Sequence, residues 1–148
     1  MNSKISGYIL VLALLIGGCI FFKSNLESQS PAKEDITRRI DKLTREEVVV
    51  PYVRKNKKLP EYYVTKHQAT ERGWEPSKGN LCEIWPGKAI GGDAFYNREK
   101  QLPTAPGRKW FEADLNYNCG RRNANRLLYS NDGLIYVTYD HYKTFQKK

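Results

Sequence analysis

The side chains best suited to acid–base and electrostatic catalysis in this chain lie within residues 107–141. They are one carboxylate, Glu112, two guanidinium groups, Arg122 and Arg126, and one imidazole, His141. A carboxylate can take the proton of an attacking hydroxyl, and a histidinium can protonate a departing oxygen. Fixed cations stabilise the charge that develops on a phosphate between them. These residue types therefore fit transfer at a phosphodiester that has a hydroxyl beside it, as RNA has.

The surrounding sequence predicts a β-sheet that would carry these groups. Side chains alternate in residues 109–115: Phe111, Ala113 and Leu115 fall on one face, and Trp110, Glu112 and Asp114 on the other. This period of two predicts a half-buried strand with Glu112 directed away from the core. Residues 126–129 and 134–138 are β-rich, and the Ser-Asn-Asp-Gly turn between them favours a hairpin. Taken alone, this combination of Glu, Arg and His is weak evidence for an active site, because the solvated strand face of any basic β domain can carry the same residue types.

A series of short motifs runs from about residue 59 to residue 145. They are LPEYYVTK, GW, SKGNL, PGKAIGGD, F-NRE, LP, GR-W-EAD-NY, RN--R-LYS, LIY and T-DHY-TF, in one order and with almost no gaps. In these motifs the chain resembles the barnase family of small guanyl-preferring microbial ribonucleases. The resemblance implies an α+β fold, with two or three N-terminal helices packed on an antiparallel sheet of about five strands.

The resemblance also implies roles for the residues in the motifs. Glu112 would be the general base and His141 the general acid, while Lys66, Arg122 and Arg126 would bind the phosphate. The implied reaction cleaves single-stranded RNA 3′ of guanosine through a 2′,3′-cyclic phosphate, which water then opens. It uses no cofactor and no metal, and the cysteines and histidines lack the spacing of zinc ligands.

A second set of positions resembles the guanine-recognition loop of that family. It comprises Phe95, Asn97, Arg98, Glu99 and Tyr142. Glu99 would accept hydrogen bonds from N1–H and N2–H₂ of guanine, and Arg98 would add positive potential and help to hold the loop. The two aromatic residues would stack on the base or border it.

Two capping patterns predict helices before the sheet. Thr44-x-x-Glu47 predicts a helix through about Asn56, distorted by Pro51. Its apolar stripe would consist of Val48, Tyr52 and Val53. Thr65 can cap a second short helix through about Arg72, which places Lys66 in the first turn, where the helix dipole gives a lysine no benefit.

The N-terminus reads as a targeting segment followed by a linker. Residues 1–23 are largely apolar after Lys4 and predict a signal peptide or a membrane anchor. Cys19 ends a lipoprotein-like box and would be lipidated if the segment is processed there. Residues 24–43 are predicted as a linker, although Ile36, Ile40 and Leu43 have helical spacing. Residues 44–148 are predicted as the ribonuclease-like domain. An extracytoplasmic protein, secreted or anchored, is expected, with membrane contact only through this segment.

Three cysteines leave Cys82 and Cys119 for the folded domain. An oxidising compartment makes them candidates for a disulfide, and two unpaired thiols are the alternative.

The chain of 148 residues has a net charge of +9, which suits a polyanionic partner. Single-stranded RNA is the expected one, together with an acidic inhibitor protein of the barstar type, and a monomer is expected. Two other classes stay open: a catalytically silent RNA-binding module of the same fold, and a surface-anchored basic structural protein.

Overall fold

The structure, a computed structural model, describes residue 35 and residues 39–148. Its helices are α1 (Glu46–Asn56), α2 (Lys66–Glu71) and α3 (Leu81–Ile84). Its strands are β1 (Tyr63–Val64), β2 (Ala89–Phe95), β3 (Trp110–Asp114), β4 (Arg126–Ser130), β5 (Ile135–Thr138) and β6 (Gln146–Lys147). The predicted α+β fold, with helices preceding a sheet, is confirmed.

The sheet has six strands in the order β1-β2-β3-β4-β5-β6 rather than the expected five. All neighbours are antiparallel except β1 and β2, which are parallel. A parallel pair requires a crossover, and the segment that contains α2 and α3 supplies it. The predicted hairpin joins β4 to β5, where the Gly133 amide donates to the Ser130 carbonyl at 3.1 Å.

Helix α1 begins later than its capping pattern predicts. Arg45 occupies the N-cap without a side-chain hydrogen bond. The Thr44 hydroxyl instead donates to the Ile40 carbonyl at 2.9 Å and accepts the Tyr117 amide at 2.9 Å. The prediction of a capping box at Thr44 is therefore wrong, because a tertiary contact uses the hydroxyl that the cap would need.

The apolar face of α1 also differs from the predicted stripe. Val49, Val50 and Val53 are buried, whereas Val48 is exposed and Tyr52 is only partly buried. Pro51 lies inside the helix, which nevertheless continues to Asn56 as predicted.

Helix α2 follows its capping pattern closely. The Thr65 hydroxyl accepts the Gln68 amide at 3.2 Å, and the Gln68 side chain accepts the Thr65 amide at 2.9 Å. This reciprocal pair fixes the first turn and places Lys66 at its first position.

Both faces of the central strand β3 are covered. The main core includes Ala113 and Leu115, with Phe111 packed against it. On the opposite face a smaller cluster is built from Leu102, Trp110 and Leu128. The alternation in β3 is as predicted, but the face that carries Glu112 is not a solvated one.

The N-terminal segment of the folded unit reaches further back than residue 44. Residues 39–43 are helical, and Ile40 is fully buried in the main core. The expectations for residues 1–23, for Cys19 and for most of the linker lie outside the described residues. Among the described helices, none has the length and apolar character to span a membrane.

Cys82 in α3 and Cys119 in the loop after β3 form a disulfide, with Cα atoms 5.7 Å apart and 37 residues of sequence separation. Closing a loop of this length removes conformational entropy from the unfolded chain. We therefore expect Cys82→Ala/Cys119→Ala to lower the free energy of unfolding by about 4 kcal/mol, less any strain in the native bridge. Urea denaturation of both proteins measures the difference. Labelling of both thiols in the native protein under oxidising conditions would contradict the bridge.

Candidate active site

Glu112 occupies the middle of β3, opposite Asp93 on β2 and Leu128 on β4. Its side chain is nearly enclosed, with 6% of the residue exposed. Two groups contact its oxygens: Lys66 Nζ lies 2.5 Å from Oε1, and the Tyr142 hydroxyl donates to Oε2. A buried carboxylate is thus held in place by a cation and a phenol.

These contacts determine the ionisation of Glu112. Burial alone raises the pKa of its carboxyl. Hydrogen bonds from Lys66 and Tyr142 and the charges of Lys66 and Arg122 lower the pKa by more than burial raises it. The net result is a pKa of Glu112 below its usual value, so the group is an anion at neutral pH. Lys66 contributes more to this lowering of the pKa than Arg122 does.

Lys66 is aligned with Glu112 by its own backbone. The Asp93 carboxylate accepts the Lys66 amide at 3.0 Å, which ties the start of α2 to β2. A bulge between Gly91 and Asp93 shifts the register of β2 there. Gly92 has a φ of +96° in this bulge, a conformation that glycine adopts without strain. The bulge thus positions the aspartate that accepts the Lys66 amide.

Both arginines are held by one carboxylate, Asp114. Arg122 donates to it three times, at 3.0, 2.8 and 2.6 Å, and Arg126 Nε lies 3.1 Å from Asp114 Oδ1. That second contact is an ion pair without hydrogen-bond geometry, since Arg126 Nε has no hydrogen-bond partner in the described structure. Arg126 Nη1 donates to the carbonyls of Asn123 and Asn125, each at 2.7 Å.

Burial lowers the pKa of Arg122, but the hydrogen bonds and charge of Asp114 and the charge of Glu112 outweigh it and raise the pKa above its usual value. The guanidinium of Arg122 is therefore a permanent cation between two carboxylates. Its field reaches Glu112, although its hydrogen bonds are made to Asp114.

His141 lies in the loop after β5 with a φ of +56°. Its amide donates to the Ala124 carbonyl at 3.3 Å, which ties the loop after β5 to the segment between Arg122 and Arg126. The imidazole is exposed and lines an open cavity of about 420 Å³ together with Arg121, Arg122 and Arg126. Its ring centroid is 4.8 Å from that of Tyr142, the residue that contacts Glu112. The described structure thus connects the predicted acid and base through Tyr142.

The predicted base-recognition residues line a second cavity, of about 460 Å³, which also contains Lys66 and Glu112. Asn97 closes its loop by accepting the Leu102 amide at 3.0 Å and donating to the Leu102 carbonyl at 2.8 Å. Glu99 is exposed, with one oxygen accepting from Gln101 at 2.7 Å. Phe95 stacks on Tyr142 with centroids 5.4 Å apart. Asn97 therefore shapes the loop, while Glu99 keeps a free oxygen.

All ten candidate site residues line these two adjacent cavities. The sequence patterns assigned no role to Asp93 or Asp114 and did not predict the hydroxyl contact of Tyr142. The EAD motif contained Asp114, but nothing local distinguished it from a solvated strand residue. In the described part of the chain, no three His, Cys, Asp or Glu side chains are grouped to hold a metal ion.

The fold and the site define a basic protein with a cleft suited to phosphodiesters. Comparison with known proteins makes this more specific. The family model described as ribonuclease matches residues 47–148. A ribonuclease of Heyndrickxia coagulans is 59% identical over 99 residues, which are 67% of this chain and 91% of that protein. Ribonucleases of Bacillus intermedius and Bacillus pumilus show the same identity and coverage of this chain, with 61% of their own length matched.

The chain therefore belongs to the ribonuclease family, within which it is a barnase-like microbial ribonuclease. Membership of this family makes the protein an RNA-cleaving enzyme.

Proposed function

We propose that the protein cleaves single-stranded RNA on the 3′ side of guanosine, outside the cytoplasm and without a metal ion. The observation that supports the reaction best is the pair of adjacent cavities. One contains an ionised carboxylate beside a base-sized space, and the other an imidazole beside three guanidiniums. A cleavage assay in EDTA, with the ends of the products mapped, tests the proposal. Intact RNA, or ends unrelated to guanosine, would contradict it.

In the first step the Glu112 carboxylate accepts the proton of the ribose 2′-hydroxyl, whose oxygen attacks the adjacent phosphorus. The P–O5′ bond breaks, and His141 donates a proton to the leaving 5′-oxygen. Arg122, Arg126 and Lys66 stabilise the charge that develops on the phosphate. In the second step His141 accepts a proton from water, whose oxygen attacks the phosphorus of the 2′,3′-cyclic phosphate. The P–O2′ bond breaks, and Glu112 returns a proton to the leaving 2′-oxygen.

Guanine preference is proposed from the loop that Asn97 closes. Guanine presents N1–H and N2–H₂ as neighbouring donors, and a carboxylate can accept from both. Glu99 has an exposed carboxylate at this cavity, next to the aromatic pair Phe95 and Tyr142. Adenine lacks both donors and would leave Glu99 unsatisfied.

We therefore expect GpU to be cleaved faster than ApU, with a preference that Glu99→Ala reduces by roughly 10-fold or more, since a charged acceptor is lost. The kcat/KM values for both dinucleotides measure the preference. Glu75→Ala, which removes an exposed carboxylate elsewhere, is the matched control and should leave the ratio unchanged. Equal rates on GpU and ApU with the native protein would exclude a guanine site.

The pH profile provides a separate test of Glu112. A general base must be ionised, so activity falls as pH decreases through its pKa, which here is lowered. Lys66→Ala removes the cation that bonds to the carboxylate, which raises the pKa of Glu112. We expect the acid limb of kcat/KM for GpU to move to higher pH in this variant, and Tyr142→Phe to move it in the same direction. An acid limb that stays in place in both variants would mean that another group controls it.

An extracytoplasmic location is supported by the disulfide, since such bridges persist in oxidising compartments. An acidic inhibitor protein is proposed as a partner, because Lys66, Arg98, Arg122 and Arg126 give the cleft a positive potential that would attract it.

A further inference from the structure

A third cavity, of about 580 Å³, shares a wall with the base-recognition cavity. Residues 94–98 line both. The new cavity extends from this wall to the start of β3, where Lys109 and Trp110 line it. The proposed reaction assigns no role to this space.

The rim of the third cavity is cationic. Arg98, Lys100, Arg108 and Lys109 line it, and neither Asp nor Glu is among its lining residues. Arg108 is neutralised by Asp132, with Nη2 2.7 Å from the carboxylate. The other three cations are exposed, and in the described structure none of them forms an ion pair with a carboxylate. Unpaired cations around one space favour a ligand with several negative charges.

The same cavity has aromatic walls. Tyr96 is 78% exposed, the most exposed of the large apolar or aromatic side chains in the described part of the chain. The guanidinium carbon of Arg98 lies 5.8 Å from its ring centroid. Phe95, Trp110 and Phe111 form the remaining aromatic lining. Stacking surfaces interleaved with cations are the combination that binds the bases and phosphates of single-stranded nucleic acid.

We propose that the third cavity binds a further nucleotide of the RNA strand whose guanosine occupies the neighbouring cavity. Tyr96 stacks on its base, and Lys100 and Lys109 contact its phosphates. The common wall lets one strand cross from the first cavity to the other. The inference rests on the proposed function, because it assumes that the bound strand is the substrate. A dinucleotide cannot fill both cavities, whereas a longer strand can.

The test compares GpU with a uridine decamer that carries one central guanosine. With the native protein we expect a lower KM for the decamer. In Lys100→Ala/Lys109→Ala, we expect kcat and KM for GpU to stay within about two-fold of the native values. For the decamer, the slope of log KM against log salt should fall by about 1.4, which is about 0.7 for each lost phosphate contact on a single strand. In Tyr96→Ala the ratio of decamer to GpU kcat/KM falls by roughly 5- to 100-fold, the range for loss of one stacked base.

Lys55→Ala/Lys58→Ala is the matched control, because it removes the same charge from exposed lysines outside the cavity. The inference is overturned if this control changes the decamer slope as much as the cavity variant does, or if neither the slope nor the Tyr96→Ala ratio changes. Failure of the native protein to cleave GpU would overturn the proposed function instead. Fluorescence anisotropy of the labelled decamer then tests the cavity without cleavage, with the same change in salt slope expected.

Discussion

Glu112→Gln and His141→Ala should each reduce the turnover of GpU by about 10²- to 10⁴-fold, the usual contribution of a positioned base or acid. Glutamine retains the size of the side chain and an oxygen that can accept from Tyr142 or Lys66, but it cannot take up a proton. Alanine at position 141 removes an exposed imidazole that has no side-chain hydrogen bond in the described structure, so the fold should tolerate it. Single-turnover kinetics, with the enzyme in saturating excess over GpU, measure the chemical step directly.

Helix α2 offers a matched control for both substitutions. His67 and Glu71 form an exposed pair there, with Nδ1 3.5 Å from the carboxylate, and line none of the three cavities. His67→Ala and Glu71→Gln make the same chemical changes and should leave turnover within about two-fold, as surface substitutions usually leave structure intact. Native-like turnover in both Glu112→Gln and His141→Ala would show that the acid–base assignment is wrong.

The fold was predictable where a local interaction determines local structure. Thr65 and Gln68 satisfy each other within one helical turn, so their spacing identified the start of α2. Thr44 has the same kind of spacing to Glu47, yet its hydroxyl serves Tyr117, which is 73 residues away in sequence. No local pattern contains that contact, and tertiary structure therefore overrode the capping signal.

The site was predictable for a different reason: a resemblance in the motifs identified residues that packing later brought together. Alternation correctly placed Glu112 and Trp110 on one face of β3. It could not show that Leu102 and Leu128 cover that face, because this depends on how the loop after β2 folds back. This enclosure raises the pKa of Glu112, but contacts with Lys66 and Tyr142 and the charge of Arg122 outweigh it and lower the pKa. These groups come from other parts of the chain, so the lowered pKa was not readable from the strand alone.

Asp114 shows most clearly what the sequence could not reveal. It alternates with Glu112 as a second acidic residue on the same face, which is also what a solvated strand would show. In the structure it is 1% exposed and accepts three hydrogen bonds from Arg122. The side chain of Arg126, its other neighbour, is only 3% exposed. One buried carboxylate thus balances two guanidiniums that the proposed reaction needs at the phosphate.

Asp114→Ala should therefore lower the free energy of unfolding by about 3–5 kcal/mol, the cost of leaving buried charges without their partner. Loss of the anchor should also reduce kcat for GpU, because Arg122 and Arg126 would no longer be held beside His141. Asp114→Asn retains the shape and one acceptor oxygen, so we expect a smaller loss of stability from it. Urea denaturation measures the stability of both variants, and GpU kinetics give kcat and KM separately.

A double-mutant cycle separates the ion pair from the effect of truncation. Arg122→Gln in the Asp114→Asn background should cost less than Arg122→Gln alone, because the charge that Arg122 balances is already gone. Asp132→Asn is the matched control, since Asp132 is an exposed carboxylate paired with Arg108 and its loss should cost much less stability than the loss of Asp114. A loss below about 1 kcal/mol in Asp114→Ala, or additive effects in the cycle, would mean that Asp114 does not hold the arginines in place.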